Sequence, residues 1–363
     1  MLRKYPIGCA GASGTQVAHP ARMTLAKTSL GLLSALVLLH CASPDLPGTE
    51  GAEGAGTTES GSPAGKATLP PKGNDSTTGA SSAPAGSTAP GVPPLPAPVA
   101  SCDLTKPFAA PIALDGFTPG AQVATPRLSH DELTIYFTTH DASGKARLAR
   151  SVRTSLAAPF SAPVVLDAQS STAKDNDPSI SADGASLWFS SERAGGSDRL
   201  FMAPLLAGTT TFGAPTLVPL AVTSADDQHP YFRVAGGELW FSSTRDGQWD
   251  IYVATKRGAS FDAPRRVDEL HSSAASRQPM VTEDGLTILF SSERAGGAGK
   301  RDLWMAHRAT VASPFGSAEV LSTVASAADE FAGWISNDGC RVYFSSDRSS
   351  TVHRAYVAAR PAK

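Results

Sequence analysis

The chain has 363 residues, of which 41 % are hydrophobic and 18 % charged, and its formal net charge at pH 7 is −2. By length alone it could form two domains, although a repeat architecture of this length can fold as one unit. Lys and Arg are not clustered along the chain. This excludes a nucleic-acid partner, because such binding depends on grouped basic side chains.

The first 41 residues have the composition of an export signal. They contain basic residues but no acidic one, and residues 29–39 form an uninterrupted run of apolar and small residues. A helix that crosses a bilayer needs about 20 apolar residues, so this run is too short to span a membrane. It predicts a signal peptide over residues 1–41.

Cys41 directly follows the end of this segment. The arrangement resembles a bacterial lipoprotein signal, in which the cysteine is lipidated and becomes the new N-terminus. The resemblance implies an outer-membrane lipoprotein, facing the periplasm or the cell surface, that contacts the membrane only through its lipid anchor. His40 departs from the small residue usual at that place. The alternative is cleavage after Ala42 or Ser43, which would release a soluble exported protein.

Residues 42–101 consist mainly of Gly, Ala, Pro, Ser and Thr and contain almost no large apolar side chain. Such a segment cannot bury enough apolar surface to offset the entropy lost on folding, so it is predicted to be disordered. As a flexible coil of about 60 residues it would reach roughly 40–45 Å. We interpret it as a tether.

A phrase of the Phe-Ser-Ser type recurs five times in the remaining chain, at intervals of 52, 52, 49 and 54 residues. A fixed period of this length is typical of repeat folds. The phrases begin at Phe137, Phe189, Phe241, Phe290 and Phe344. Eleven residues before them stand Pro126, Pro178, Pro230, Pro279 and, in the fifth copy, Gly333.

Each repeat is predicted to form four short strands. In the second copy these are residues 179–181, 186–190, 200–203 and 215–220. Because side chains alternate along a strand, Leu187 and Phe189 face one way and Trp188 the other, so both faces need an apolar cover. Sheets stacked as blades around an axis provide it. The sequence therefore predicts an all-β fold: a single β-propeller of five four-stranded blades over residues 102–363.

The ring is predicted to close through both ends of the chain. Residues 356–358 form the third strand of the last repeat, and no fourth strand follows. Residues 111–114 have the fourth-strand pattern but precede the first repeat, so we expect them to complete the fifth blade. Cys102 and Cys340 would then lie at the same end of that blade. They are predicted to form a disulfide, with two separate buried thiols as the alternative.

These repeats resemble the propeller units of TolB-type periplasmic proteins. The resemblance rests on Pro-x-x-Ser-x-Asp-Gly, an apolar pair with Phe-Ser-Ser, Arg four residues beyond the Phe, and Asp before an apolar-aromatic pair. Residues 178–203 and 279–306 match best. The resemblance implies the fold and no particular activity. TolB-type propellers have six blades, so a sixth blade remains an open alternative.

The repeated Arg and Asp residues between the second and third strands are predicted to be structural, because one active site would not recur in every blade. We expect them to form hairpin hydrogen bonds and ion pairs between blades. These residues are Arg193, Arg245, Arg294 and Arg348, with Asp198, Asp250 and Asp302.

Function should instead break the symmetry, which happens just before the repeated Pro, at one mouth of the central channel. Convergent polar groups at such a mouth predict a ligand-binding site. A solvated acidic rim is the alternative. The candidate ligand-binding residues are Asp175, Asp177, Asp227, His229, Arg277, Gln278 and Glu330. No cofactor is expected, although Asp175, Asp177, Asp227 and His229 could hold Ca²⁺.

The sequence favours a monomeric, non-catalytic binding or scaffold module for an envelope protein, peptide or glycan. It has no Gly-x-Ser-x-Gly, His-Glu-x-x-His or Cys-x-x-Cys motif. The alternative is a propeller hydrolase of the glycosidase or lactonase type that uses rim carboxylates such as Asp177 and Glu330. A third interpretation is a rigid spacer without a ligand.

Overall fold

Each sequence repeat folds into one antiparallel sheet, and the first strands of neighbouring sheets contact one another around a common axis. The computed structural model describes residues 101–117, 120–221 and 223–363. These form a five-bladed β-propeller, which confirms the predicted fold class and blade number. The predicted signal peptide, Cys41 and nearly all of the predicted tether lie outside the described residues.

The blades are numbered in chain order. Blade 1 contains β2 (Ala124–Leu128), β3 (Thr134–His140), β4 (Ala146–Val152) and β5 (Val164–Val165). Blade 2 contains β6 (Asp175–Ile180), β7 (Ser186–Ser191), β8 (Arg199–Pro204) and β9 (Thr216–Leu217). Blade 3 contains β10 (Asp227–Arg233), β11 (Glu238–Ser243), β12 (Asp250–Arg257), β13 (Ser260–Phe261) and β14 (Arg265–Arg266). Blade 4 contains β15 (Ser276–Val281), β16 (Thr287–Ser292), β17 (Asp302–His307) and β18 (Glu319–Val320). Blade 5 contains β19 (Glu330–Ile335), β20 (Arg341–Ser346), β21 (Arg354–Ala359) and β1 (Ile112–Ala113).

A short 3-10 helix, Asp268–Leu270, follows β14. Within the described ranges, no helix is long and apolar enough to cross a membrane.

The ring closes as predicted. Strand β1 pairs antiparallel with β21, with Ile112 opposite Val357 and Ala113 opposite Tyr356. The segment before the first repeat therefore supplies the outer strand of the last blade. Cys102 and Cys340 are joined by a disulfide across 238 residues of sequence, with their Cα atoms 5.7 Å apart. The bond links the segment that precedes β1 to the residue that precedes β20.

A buried ion pair adds a second connection between blades 1 and 5. Glu132, in the turn between β2 and β3, accepts two hydrogen bonds from Arg341, at 2.8 and 2.7 Å, and one from the Tyr343 hydroxyl at 2.6 Å. Arg153 of blade 1 in turn donates to the Tyr343 hydroxyl at 3.1 Å. Bidentate Arg–carboxylate pairs fix geometry as well as adding energy. The seam where the two chain ends meet is thus fastened on the side opposite the candidate site.

Both faces of each second strand are covered by a neighbouring blade. In β7, Leu187 and Phe189 pack in one apolar cluster with Leu148 of blade 1. Trp188 belongs to another cluster and stacks on Phe232 of blade 3, with ring centroids 4.7 Å apart. Burying each such side chain is worth roughly 1.5–3 kcal/mol. The apolar residues on both faces of the repeat are therefore what hold blade to blade.

The innermost strands are longer than expected and contain a bulge. Strand β6 extends well before the predicted residues 179–181, and its pairing with β7 shifts register between Asn176 and Ser179. Asp177, within the shift, has a left-handed backbone with φ +57°. Pro178 follows it, and because proline has no N–H to donate to a ladder, it belongs at bulges and edges. The sequence pattern did not reveal this bulge, which turns the side chain of Asp177 toward the axis.

Candidate functional site

Five residues at the bulges surround the propeller axis. They are Thr125, Asp177, His229, Gln278 and Ala332, here called the axial ring. Four of them are left-handed, with φ between +48° and +57°. Such strain in non-glycine residues costs of order 1–3 kcal/mol each and persists only where the surroundings enforce it.

Hydroxyl groups of the repeated Phe-Ser-Ser phrase hold the axial ring in place. In four seams the first Ser or Thr of the phrase accepts the backbone N–H of the axial residue in the next blade. The pairs are Thr138 with Asp177 (2.8 Å), Ser242 with Gln278 (3.1 Å), Ser291 with Ala332 (2.7 Å) and Ser345 with Thr125 (3.2 Å). Ser190 differs, because its hydroxyl donates to Asp177 Oδ2 at 2.8 Å. The most conspicuous repeat in the sequence is therefore a support for the axial side chains.

The axial side chains form a hydrogen-bonded arc. Thr125 Oγ1 donates to Asp177 Oδ1 at 3.2 Å, and Gln278 Nε2 lies 3.0 Å from His229 Nε2. His229 Nε2 is 3.7 Å from Asp177 Oδ1. Neither His229 Nδ1 nor Gln278 Oε1 has a hydrogen-bond partner among the described residues, although both atoms are buried. The arc is therefore incomplete at two polar atoms.

Burial lowers the pKa of His229 to about 4. The negative charge of Asp177 opposes this shift, whereas Arg277, Arg127 and Arg301 reinforce it. His229 is only 6 % exposed, so it is a neutral imidazole near pH 7. As a neutral ring it has one nitrogen that donates and one that accepts.

A cavity of about 210 Å³, here called the mouth cavity, opens above the axial ring. Its lining includes Thr125, Asn176, Asp177, Gln228, His229 and Gln278. Three of these six residues are amides, and each amide offers both donors and acceptors. The cavity is thus a small polar cup rather than the acidic rim that was the alternative prediction.

Two cation–aromatic pairs flank the mouth cavity. Arg277 of blade 4 lies over the ring of Trp249 of blade 3, with 4.4 Å between Cζ and the ring centroid. Across the next seam the order is reversed, since Arg301 of blade 4 lies 4.8 Å from the ring of Phe331 of blade 5. His353 stacks on Phe331 at 4.2 Å. Arg277 is therefore held in place by an aromatic ring.

Arg127 crosses the axis beneath the axial ring. From blade 1 its Nη2 donates to the carbonyl of Pro279 in blade 4 at 3.0 Å, and its Nη1 donates to the carbonyl of Gly333 in blade 5. Its guanidinium also lies 5.7 Å from the ring of Tyr231 in blade 3. Burial lowers the pKa of Arg127 to about 10, and it remains a cation at neutral pH. The side chain thus bridges blade 1 to blades 4 and 5 across the axis.

Gly333 departs from the Pro of the other repeats for a steric reason. A Cβ at this position would collide with the carbonyl oxygen of Pro126 in blade 1. The close approach of the two inner strands requires glycine here, and it leaves the Gly333 carbonyl within reach of Arg127.

Three of the predicted ligand-binding residues are structural, which corrects the prediction. Asp175, Asp227 and Glu330 are only 0–3 % exposed, and each accepts a hydrogen bond from the repeated Arg of its own blade. The distances are 2.6 Å for Arg193–Asp175, 2.7 Å for Arg245–Asp227 and 2.9 Å for Arg348–Glu330. Each carboxylate stands two residues before the axial residue and points into its blade.

The repeated arginines therefore form clamps within blades, not the predicted ion pairs between blades. In blade 2, Arg193 also lies over the rings of Phe189 and Phe201, at 4.9 and 5.0 Å. In blade 4 the carboxylate is replaced by Ser276, whose hydroxyl accepts from Arg294 at 3.1 Å. The predicted partners of the repeated arginines were wrong because the sequence alone does not show which way each acidic residue points at the bulge.

Among the described residues, no group of three or more His, Cys, Asp or Glu side chains is placed to hold a metal ion. Of the residues considered for Ca²⁺, Asp175 and Asp227 are taken by arginines, while Asp177 and His229 lie in the axial ring.

Of the predicted residues, Asp177, His229 and Gln278 line the mouth cavity, whereas Arg277 lies over Trp249, whose ring centroid is 6.2 Å from that of His229. The predicted ligand-binding residues did not include Thr125, Asn176, Gln228, Trp249 and Arg127, although Asn176 and Gln228 stand in the polar segments that mark the mouth in the sequence. A usable signal existed for Thr125, because it stands directly before the repeated Pro, as do Asp177, His229 and Gln278. No signal marked Arg127 or Trp249, whose partners lie in other blades.

This chain is similar to known proteins in fold only. No protein-family model matches the chain, and no curated protein matches it. Solved structures that it resembles include a putative TolB from Agrobacterium tumefaciens, with 23% identity, a TM-score of 0.43, and coverage of 63% of this chain and 71% of that one. TolB from Acinetobacter baumannii has 13% identity and a TM-score of 0.40, with coverage of 67% and 56%. TolB proteins are the type of propeller that the repeats resemble.

Another similar structure is the catalytic domain of a GH62 α-L-arabinofuranosidase from Coprinopsis cinerea. It has 12% identity and a TM-score of 0.46, with coverage of 72% of this chain and 98% of that one. At these identities the similarity concerns the arrangement of strands alone. The nature of the ligand has to be argued from the residues of this chain.

Proposed function

We propose that the protein is a non-catalytic binding module whose ligand enters the mouth cavity. The observation that carries this proposal is the pair of buried polar atoms without a partner, His229 Nδ1 and Gln278 Oε1, on residues that line the cavity. Leaving such an atom unpaired costs about 1–3 kcal/mol, so most buried polar groups in proteins are satisfied. Both atoms are closed to solvent, so a ligand in the cup would supply their missing partners once the two side chains turn toward it.

The strain of the axial ring supports the same proposal. Left-handed non-glycine residues cluster at ligand clamps, where the fold enforces them. Here the enforcement is visible as the hydroxyl supports from the neighbouring blades. These supports fix the backbone of the axial residues before a ligand arrives, and such preorganisation reduces the cost of binding. The partner would be an envelope protein, peptide or glycan that offers polar groups to the cup.

We further propose that the propeller is an exported monomer, tethered through residues 42–101 and anchored by a lipid on Cys41. The leader composition and its lipoprotein-like end support this. Labelling with an alkyne fatty acid should mark the wild-type protein and not the Cys41→Ala variant, and the variant should move from the membrane to the soluble fraction. Wild-type protein that stays unlabelled and soluble would contradict the anchor.

A hydrolase remains the second candidate. Its two carboxylates would be Asp177 and Asp198 in place of the predicted Asp177 and Glu330. Glu330 is buried against Arg348, Ser326 and Ser346, so it cannot serve with Asp177. Burial raises the pKa of Asp198 to about 6, and Gln228 of the cavity wall donates to it at 2.5 Å. An acid with a raised pKa near a second carboxylate is what glycoside hydrolysis uses.

The two functions are separated by ligand-induced stabilisation and turnover measured on the same variants. A ligand panel of envelope glycans and peptides should raise the melting temperature of the wild type, since binding to the folded state alone stabilises it. His229→Ala and Gln278→Leu should lose the shift. His307→Ala, an exposed histidine on the opposite face, should keep it.

Chromogenic glycosides and lactones test the alternative. Hydrolysis by the wild type that Asp177→Asn or Asp198→Asn abolishes would replace the binding proposal by an enzyme. If no panel member shifts the melting temperature and none is turned over, the rigid spacer would be the better description.

A further inference from the structure

We infer that the mouth cavity recognises an acidic glycan, with Arg277 binding the anionic group of the sugar. This inference rests on the proposed function and specifies the ligand class of that same site. It follows from the charge, the symmetry and the hydrogen-bonding capacity of the cup.

Arg277 breaks the symmetry of the propeller at the residue directly before the axial residue of each blade. The equivalent residues of the other blades are uncharged, namely Ala124, Asn176, Gln228 and Phe331. These four residues line the mouth cavity. Arg277 lies beside it, over Trp249, whose ring centroid is 6.2 Å from that of His229, so only blade 4 places a cation at this position. A residue that served the fold alone would be expected to recur, as the Arg clamps do.

The guanidinium of Arg277 is positioned but not neutralised. Its plane lies over Trp249, while its Nε is buried without a hydrogen-bond partner among the described residues. Among the charges that act on it, the guanidinium of Arg301, which repels it, has the largest effect, and the carboxylates of Glu293 and Asp177 act in the opposite direction. Both oxygens of Asp177 are already engaged by the hydroxyls of Thr125 and Ser190.

An anion between the two arginines would relieve this repulsion. Arg301 already donates to Glu293 at 2.8 Å. The guanidinium of Arg277 is therefore the one left to bind an anion. Its donors match the oxygens of a carboxylate or a phosphate, and bidentate pairs of this kind are among the strong hydrogen bonds of proteins. Trp249 holds the guanidinium of Arg277 in place, so this side chain would lose little conformational freedom on binding.

The floor of the cup requires hydroxyl groups. If one N–H of the Gln278 amide donates to His229 Nε2, the pair is left with the donor Nδ1–H, the second amide N–H and the acceptor Oε1. If the amide is turned and the imidazole carries its proton on Nε2, Nδ1 becomes the acceptor and the amide nitrogen the donor. In both arrangements the pair offers at least one donor and at least one acceptor. Neighbouring hydroxyls of a sugar satisfy such a pair, because each hydroxyl both donates and accepts.

The size and composition of the cup favour a sugar over a peptide. At about 30 Å³ per water molecule, the 210 Å³ cavity corresponds to about seven waters, so it admits one ring or one residue. Around it stand the amides of Asn176, Gln228 and Gln278. A sugar ring brings several hydroxyls into this volume, whereas a single peptide residue brings one N–H and one C=O. The cup therefore matches one acidic sugar unit of a glycan.

The test compares matched ligands by titration calorimetry on the full chain. The probes are a glucuronate-containing disaccharide, the same disaccharide with its carboxyl reduced to an alcohol, glucose 6-phosphate, and a tripeptide with a free carboxyl terminus. We expect the glucuronate disaccharide to bind at least about tenfold more tightly than its reduced form, because a hydrogen bond to a charged group is at stake. Comparison with glucose 6-phosphate separates a carboxylate from a phosphate as the anion.

Arg277→Gln should weaken the acidic probe about 10- to 100-fold, down to the affinity of the neutral one, and leave the neutral probe unchanged. Arg277→Lys should recover part of the loss, since it restores the charge without the guanidinium. The matched control is Arg257→Gln, which removes an arginine that is 68% exposed and paired with Asp262. It should leave all affinities unchanged.

The outcomes distinguish this inference from the proposed function. Equal binding of acidic and neutral disaccharides, lost together in His229→Ala, would overturn the role of Arg277 and keep the mouth as the binding site. Binding of the tripeptide alone would overturn the glycan class. Binding that survives His229→Ala, or no binding of any probe, would overturn the inference, and survival in His229→Ala would also remove the mouth as the site.

Discussion

Arg348 and Glu330 form an ion pair of 2.9 Å in which the carboxylate side chain is fully buried. The same clamp in blade 4 joins Arg294 to the neutral hydroxyl of Ser276 at 3.1 Å. The two arginines are otherwise matched. Each donates at 2.6 Å to a carbonyl 24 residues earlier in the chain, and each lies about 5 Å from a Phe of the second strand. The propeller thus contains an internal comparison between a charged and an uncharged clamp.

Arg348→Gln is expected to lower the free energy of unfolding by about 3–5 kcal/mol, because it leaves the carboxylate of Glu330 buried without its cation. Arg294→Gln should cost only about 1–3 kcal/mol, the range for a lost hydrogen bond with a neutral partner. Urea denaturation at pH 7 measures both values. Equal losses in the two variants would show that the carboxylate contributes nothing specific.

The deficit of Arg348→Gln should shrink as the pH falls. Burial raises the pKa of Glu330, and Arg348 opposes that shift. Without the arginine the pKa rises further, so the folded variant takes up a proton at a higher pH than the unfolded chain and is stabilised on acidification. Repeating the denaturation between pH 7 and pH 5 checks this. A deficit that does not change with pH would contradict it.

The disulfide should matter because it holds the ring closed. Replacing both Cys102 and Cys340 by Ser is expected to cost about 2–4 kcal/mol, since the bond constrains the unfolded chain across a long loop. Reductant should lower the melting temperature of the wild type and leave the double variant unchanged. If the wild type is insensitive to reductant that has been shown to break the bond, strand β1 and the Glu132–Arg341 pair close the ring without it.

His229 should make the protein less stable in acid. Its pKa is about 4 in the folded state and 6.5 for the unperturbed side chain, so between these values the unfolded chain binds the proton more readily. Stability is therefore present above pH 6.5 and is lost as the pH falls toward 4, by about 3 kcal/mol at most. His229→Gln should remove this dependence. If the stability of His229→Gln falls in acid as steeply as that of the wild type, groups other than His229 cause the loss.

Asp198 should act in the opposite direction over an overlapping range. Its folded pKa is about 6 against 3.8 for the unperturbed side chain, so the folded state takes up the proton first as the pH falls. The stabilisation is fully present below pH 3.8 and is lost as the pH rises through 6. Asp198→Asn should therefore raise the free energy of unfolding at pH 7 by about 3 kcal/mol at most and leave it unchanged near pH 4. A loss of stability at both pH values would contradict this assignment.

The architecture could be predicted because it depends on a periodic apolar pattern. The aromatic strand around Phe189 needs cover on both faces, and residues 111–114 carry a fourth-strand pattern that is missing after the last repeat. Both features are local in sequence. They were enough to predict five blades, the crossing strand and the pairing of the last blade.

The site could be predicted only in part, because the bulge decides which way each polar residue points. Asp175 and Asp177 are two residues apart, and along a regular strand they would share a face. The left-handed turn at Asp177 separates them, so one is buried under Arg193 and the other lines the cup. Arg127 could not be anticipated at all, since its partners come from blades distant in sequence.

The position of Arg127 sets the route by which any ligand comes and goes. This side chain bridges blade 1 to blades 4 and 5, so it lies across the axis below the cup. A polymer cannot thread through the ring and slide along it. It can insert only a chain end or a protruding branch, and release must retrace the path of entry. The protein would then hold termini or side groups of a polymeric ligand and leave the polymer backbone untouched.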